Sequence, residues 1–219
     1  MPSDHAVPLG DASFDLGASL GVPAMTAHRC LFADGPIDGA GVLVAGGAGA
    51  VGRMAIELAV LAGATVVATV SGPEKGELAR AAGAHHVVSY RDADAADQIR
   101  TALPGGVARV VEVDLANNLE LDTAVIANGA AVVTYADSGA EVSIPAVRAL
   151  MTNNAVLRFV LLYFVPPAAL AAAAADVASA VGAGALTTLP LHRFTLDETA
   201  AAHDAVEAGT VGEVLIDVP

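Results

Sequence analysis

The sequence predicts an α/β fold, a doubly wound parallel sheet with helices on both faces, and three observations carry the prediction. From Gly41 onward, short β-branched runs alternate with longer alanine-rich runs. The β-branched runs are apolar at successive positions, as strands buried on both faces must be. Strand, helix and strand in that rhythm demand right-handed crossovers between parallel neighbours. Composition agrees: alanine fills 50 of the 219 positions, aromatic residues make up 4%, and Trp is absent. Small helix faces of this kind pack closely against a valine-rich sheet. A domain of this length buries roughly 70% of its unfolded surface, enough for a core without covalent staples.

Residues 1–39 hold no strand–helix unit; Phe14 to Ala33 reads as a helical lead-in, with Pro23 opening its second half. The doubly wound core is predicted over residues 40–190. Its strands are Val42–Ala45, Thr65–Val70, His86–Ser89, Arg109–Val113, Ala131–Tyr135 and Val156–Tyr163, each rich in Val or other β-branched residues. Its helices are Ala50–Ala62, Pro73–Ala82, Ala93–Ala102, Leu119–Ala127 and Pro145–Thr152, set by alanine content and by Pro at first-turn positions. After Ala171 an alanine helix runs to the break at Gly182-Ala183-Gly184. Residues 191–219 form a final helix and strand. A capping box from Thr195 to Glu198 opens the helix, Gly209 stops it, and the strand is Glu213–Val218.

The formal charge is -14, with Lys and Arg together only 10. A reader of nucleic acid needs a basic face, and an anionic membrane repels such a chain, so neither partner is expected. The apolar stretch from Phe159 to Ala175 is interrupted by Pro166-Pro167, which argues against a membrane-spanning helix. The N-terminal residues lack the basic-then-apolar pattern of a secretory signal. Cys30 is the only cysteine, which excludes an internal disulfide and a cysteine-cluster metal site, and suits a reducing, cytoplasmic setting. His85 and His86 are adjacent on a strand start, so their side chains diverge, and no metal site is expected. His28 and Cys30 lie two apart on a helix, on different faces, which argues against a nucleophile pair.

The chemical signal is strongest at residues 41–63, GVLVAGGAGAVGRMAIELAVLAG. Gly46, Gly49 and Gly52 stand three apart between a valine-rich strand and an amphipathic helix. A pyrophosphate must meet bare backbone N–H groups at a helix N-terminus, where the dipole favours negative charge and a Cβ would obstruct. This is the pattern of a Rossmann-type dinucleotide-binding domain; a plain tight turn packed on glycines is the other reading of the same spacing. The second strand selects the dinucleotide. Sites for NAD usually place an acid at its tip, about 20 residues on. Here the tip reads Thr69-Val70-Ser71-Gly72-Pro73-Glu74-Lys75. Ser71 can donate to a phosphate. Lys75, the only lysine, opposes the dipole at a helix start, which favours a 2′-phosphate partner over a structural role, a solvated surface lysine being the other reading. Glu74 could instead meet a ribose hydroxyl. Asp114, at a strand end, suits either a ligand-facing position or a helix start.

The stretches VLVAGGAGAVG, ATVSGPEKGELARAAGAHHVVSYRD and VVEVDLANN resemble the zeta-crystallin-type NADPH:quinone oxidoreductases, zinc-independent members of the medium-chain dehydrogenase/reductase superfamily. The lead-in LGASLGVPAMTAHRCLF and the ending AAHDAVEAGTVGEVLIDVP resemble that family too, so the likeness runs over almost the whole chain. It implies NADPH as cofactor, with Gly46, Ala48, Gly49, Ala50, Val51 and Gly52 at the pyrophosphate. Ser71, Lys75 and Tyr90 would surround the 2′-phosphate, and Asn117 and Asn118 would lie by the nicotinamide ribose. Tyr135 to Ser138, with Phe159 and Val160, would border the nicotinamide. Tyr90 equally suits a strand-edge cap, and Asn117-Asn118 an ordinary turn.

The implied reaction is hydride transfer to a quinone or enone, with no residue assigned as catalytic. The resemblance implies a substrate-side domain ahead of Phe14 that this sequence does not contain. Glu213 replaces a usual lysine, and Tyr135-Ala136 a usual glycine. The alternative is a cofactor-binding module, or half of a two-domain reductase, working with a separate catalytic partner. A homodimer is also implied, with the apolar run Ala155 to Phe164 as its edge strand.

Overall fold

The computed structural model describes residues 6–144 and 147–219. Six strands form one parallel sheet: β1 (Gly41–Ala45), β2 (Thr65–Val70), β3 (His86–Ser89), β4 (Val107–Glu112), β5 (Ile126–Thr134) and β6 (Val156–Phe159). Their order is β3-β2-β1-β4-β5-β6, so the winding reverses between β1 and β4. This is the doubly wound arrangement predicted from the apolar runs, and it opens a crevice beyond the carboxyl ends of β1 and β4.

Helices cover both faces. Alternate side chains Val42, Val44, Val66, Val111 and Val133 pack toward α2 (Met25–Phe32), α3 (Ala50–Leu61), α4 (Pro73–Ala81) and α8 (Pro167–Gly182). Leu43, Val67, Val110 and Val132 face α5 (Ala95–Ala102) and α6 (Leu115–Val125), where Ile99 and Leu119 are buried. Residues with no polar atoms on either face are what two-sided burial selects.

Five expectations need correction, the first being β5, which begins at Ile126, inside the expected helix Leu119–Ala127 and five residues before the expected strand. The lead-in is one continuous helical run: α1 (Phe14–Ser19), a π turn at Leu20–Ala24, then α2. Pro23 lies inside the π turn and does not open a new helix; the widened turn accommodates the hydrogen bond that proline cannot donate. α6 begins at Leu115, four residues before the expected start, because Asp114 caps it and its carbonyl oxygen accepts from Asn117 N (3.1 Å) and Asn118 N (3.0 Å). The Asn pair is therefore the first helical turn and not a loop.

β6 is shorter than expected. β5 ends at Thr134, so no ladder partner exists beyond Phe159, and a 3-10 turn at Leu162–Phe164 follows. A strand the sequence did not signal, β7 (Leu191–Thr195), pairs in parallel with β8 (Glu213–Asp217), and α9 (Thr199–Glu207) joins them. The capping box forms as expected, over a short 3-10 turn before α9. This small sheet is tied to α1: Arg193 pairs with Asp15 and Asp217, and Ser19 Oγ donates to Glu213 at 2.6 Å. The six-residue α7 (Val147–Thr152) precedes β6; Pro145 and Ala146, with which that helix was expected to open, lie outside the described residues.

Candidate functional site

The turn after β1 needs its glycines for distinct reasons. Gly46 has φ +68°, the left-handed region that favours glycine. A Cβ on Gly47 would lie 2.7 Å from the Ala68 Cβ on β2, and one on Gly52 would lie 2.9 Å from the Gly46 carbonyl carbon. These two let α3 sit down on the turn and on the neighbouring strand. Gly47 was not singled out in the spacing argument, because its reason is an inter-strand contact. Gly49 differs: it is exposed, it caps α3 with extended backbone, and nothing crowds it closer than 3.4 Å. Its bareness faces outward.

That helix end is open to a ligand. α3 has no side-chain cap and no acid in its first turn. Among the described residues, no oxygen accepts from the N–H groups of Ala50 or Val51, both half-buried. Ala48 is buried, so only its backbone can take part. An uncapped first turn with the positive end of the helix dipole is a ready anion site, and a pyrophosphate fits it.

A second cluster lies where β2 and β3 end. Val70 pairs with Ser89, and Tyr90 N donates to Val70 O at 3.2 Å, so Ser71 and Tyr90 emerge side by side. Lys75 stands in the first turn of α4, half-buried, and makes no ion pair among the described residues. The Arg91 guanidinium lies 5.8 Å from the Tyr90 ring centroid, adding a cation that sequence reasoning passed over. Its signal was present: a cation directly after the residue assigned to the phosphate.

The corner after β4 is a polar network around Asp114. Asn117 Nδ2 donates to Asp114 Oδ2 at 2.7 Å, and Ser138 Oγ donates to Asp114 Oδ1 at 3.0 Å. Asn118 Nδ2 donates to Glu112 Oε1 at 2.8 Å, and Asp114 N donates to the same oxygen. Asn117 is exposed to the crevice, whereas the amide of Asn118 is turned onto buried Glu112. Beneath lies a carboxyl pair the sequence did not reveal. Glu112 and Asp122 are 0% and 1% exposed, and each keeps one oxygen without a partner. Burial pushes both carboxyls up, Asp122 further because the Glu112 charge adds to it. Two such groups out of water resist ionising together.

A pocket of about 560 Å³ opens at the carboxyl ends of β5 and β6. Tyr135 and Phe159, expected beside a nicotinamide, line it with Leu161 and Phe164; Arg29 and Arg158, which the sequence reading did not name, line it too. Burial pushes the Tyr135 phenol above its usual range, so it stays neutral. Arg158 pairs with Asp34, which Arg109 also reaches at 3.4 Å. The bonded Arg158 guanidinium holds the Asp34 carboxyl below its usual range, with Arg109 and Arg29 adding to the effect.

No three His, Cys, Asp or Glu among the described residues are grouped so as to hold a metal. Burial pushes the Cys30 thiol up to about 12, opposite to what a thiolate ligand needs. His85 Nδ1 accepts from Val66 N at 3.0 Å, and His28 Nε2 lies 2.9 Å from Asp176 Oδ2, so both rings serve the packing of secondary structure.

This architecture is shared with known proteins. A mycobacterial quinone oxidoreductase superposes with a TM-score of 0.85 at 29% identity, covering 97% of this chain and 67% of that one. A mycobacterial protein complexed with NADPH superposes with a TM-score of 0.84 at 28% identity, covering 97% and 66%. The quinone oxidoreductase of Lama guanicoe is 28% identical over 223 residues, 99% of this chain and 67% of that protein. That of Pongo abelii is 31% identical over 144 residues, 64% of this chain and 44% of that protein. The chain thus spans between under half and two thirds of these curated relatives. Residues 50–179, the α3-to-α8 core that carries the open helix end and the polar corner, match the family described as zinc-binding dehydrogenase, and the chain belongs to that family.

Proposed function

We propose that the chain binds NADPH across the carboxyl ends of its strands and serves an oxidoreductase that reduces a quinone or enone. The observation that carries this is the uncapped first turn of α3 behind a glycine turn, with Lys75, Tyr90 and Arg91 waiting at the next strand tips. A diphosphate bridges the first, and a 2′-phosphate meets the second. The NADPH complex of a protein with this fold supports the same reading. Bound NADPH supplies a hydride, two electrons and one hydrogen, to the β-carbon or carbonyl of the acceptor, and water supplies the balancing proton.

This chain's own work is to hold and orient. Ala50 and Val51 N–H groups take the pyrophosphate. Asn117 and Asp114 present polar atoms to the ribose, and the apolar wall at Tyr135 and Phe159 shields the ring from water. Zinc, which the family's description names, does not fit the described residues, since they offer neither grouped ligands nor a thiol ready to ionise.

The placement in the cytoplasm belongs to the same proposal; no helix among the described residues is long and apolar enough to cross a membrane. So does a homodimer: β6 is an edge strand, and Phe159, Leu161 and Tyr163 nearby are 72%, 57% and 77% exposed. A second reading, a module that holds the cofactor for a separate catalytic partner, rests on Phe14 of α1, which is 90% exposed. NADPH oxidation by the purified chain with a benzoquinone acceptor tests both. Turnover above the no-protein blank supports the reductase. NADPH binding without turnover supports the module, and no binding of NADPH overturns both.

A further inference from the structure

We propose that the pocket at the ends of β5 and β6 receives a conjugated acceptor that carries a carboxylate, held by the guanidinium of Arg29. The inference rests on the hydride-transfer reading above and adds the charge of the acceptor.

The argument begins with the scarcity of cations. The whole chain has 10 Lys and Arg against 24 Asp and Glu, yet two of its arginines line this one pocket and a third lies behind it. Arg158 and Arg109 share the single carboxylate of Asp34, so that cluster already carries a net positive charge. Arg29 sits on α2, one helical turn before Ala33, which lines the same pocket. It is half-buried and makes no hydrogen bond or ion pair from its side chain among the described residues.

Asp34 feels the charge of Arg29, but none of the negative groups nearby bonds it. Asp34 is committed to Arg158 and Arg109. Asp137, on the rim, is exposed and accepts from Gly139 N at 2.8 Å within its own loop. Tyr135 and Cys30, which face this side of the sheet, are both held neutral by burial. The remaining wall is apolar, chiefly Val160, Leu161, Phe164 and Val165.

A guanidinium with no bonded partner beside an apolar wall has a planar anion as its natural complement. A carboxylate meets the fork in a bidentate arrangement, while the flat conjugated part of the same molecule lies against the apolar wall. About 560 Å³ is ample for both.

The test is calorimetric titration of the 219-residue chain, with and without NADPH, using trans-cinnamate and its neutral isostere cinnamamide. We expect cinnamate to bind at least tenfold more tightly than cinnamamide. Arg29→Gln should abolish that preference while leaving cinnamamide affinity unchanged, and Arg29→Lys should restore part of it. Equal affinities for acid and amide, or a preference that survives Arg29→Gln, would overturn the proposal. The titration without NADPH keeps the two readings apart. A chain that prefers the acid yet does not bind NADPH retains the anion pocket and loses the cofactor assignment.

Discussion

Replacing Gly52 with Ala tests the glycine turn most directly. The added methyl would press against the Gly46 carbonyl oxygen and stand 2.9 Å from its carbon and 3.0 Å from the Gly47 Cα. Carbon atoms reach contact at roughly 3.5 Å, so backbone, not a flexible side chain, must retreat by about 0.5 Å or more. Gly46 has little room to yield. It is held at φ +68°, and its oxygen accepts from Gly49 N at 2.9 Å. Overpacking of this kind costs about 1 to 3 kcal/mol, and a weakened hydrogen bond about 1 more. The better helix propensity of Ala returns about 1 kcal/mol. The net loss is about 2 kcal/mol, or roughly 4 to 8 °C in Tm for a chain of this size. The consequence for binding is larger. A shifted turn misaims the Ala50 and Val51 N–H groups, and losing one charge-assisted bond raises the NADPH Kd about 10- to 150-fold. Fluorescence titration of NADPH and a thermal melt read both effects. Gly105→Ala is the control, because no atom lies within 4 Å of its Cβ and its φ is not positive. A Gly52→Ala chain with unaltered Tm and Kd would refute the reasoning.

Three further outcomes follow from the same structure. Lys75→Glu should raise the Kd for NADPH by about 10- to 150-fold at low salt, the loss of one charged hydrogen bond, and that for NADH by less than about threefold; equal losses for both would remove Lys75 from the 2′-phosphate. Asp122→Asn should flatten the pH dependence of stability. With both carboxyls raised by burial, the folded chain keeps protons that the unfolded chain releases, so this pair's contribution to stability is fully present below the ordinary carboxylate range and is lost as pH rises. Urea melts between about pH 5 and 9 should show the wild type losing stability faster than the variant, and parallel slopes would contradict the raised Asp122 carboxyl. Leu161→Lys should convert a dimer to monomers in sedimentation, by setting a charge beside the open edge of β6.

Much of the fold was legible because its signals are local. Val42 to Ala45 and Thr65 to Val70 show buried strands by apolar runs alone, and Gly46 to Gly52 show the turn by spacing between them. The capping box at Thr195 and Glu198 was legible for the same reason, since both partners lie within one turn. The boundaries that shifted are those set by something elsewhere. β6 stops where β5 stops, and β7 exists because β8, some twenty residues later, offers it a ladder. His192 and Arg193 in β7 carry no strand signal of their own.

The site divides along the same line. The sequence by itself determined the doubly wound class and the glycine turn, with Ser71 and Lys75 placed at the following strand tip. In each case the chemistry sits within a few residues of the element that positions it. Only the tertiary structure decided that Arg158 and Asp34, 124 positions apart, share one ion pair, and that Arg29 is left over beside them. It alone brought Glu112 and Asp122 together out of water. Charge and hydrogen-bonding capacity are properties of a residue. Desolvation and the identity of the partner exist only after distant segments have packed, and those two decide what an arginine or a carboxyl does.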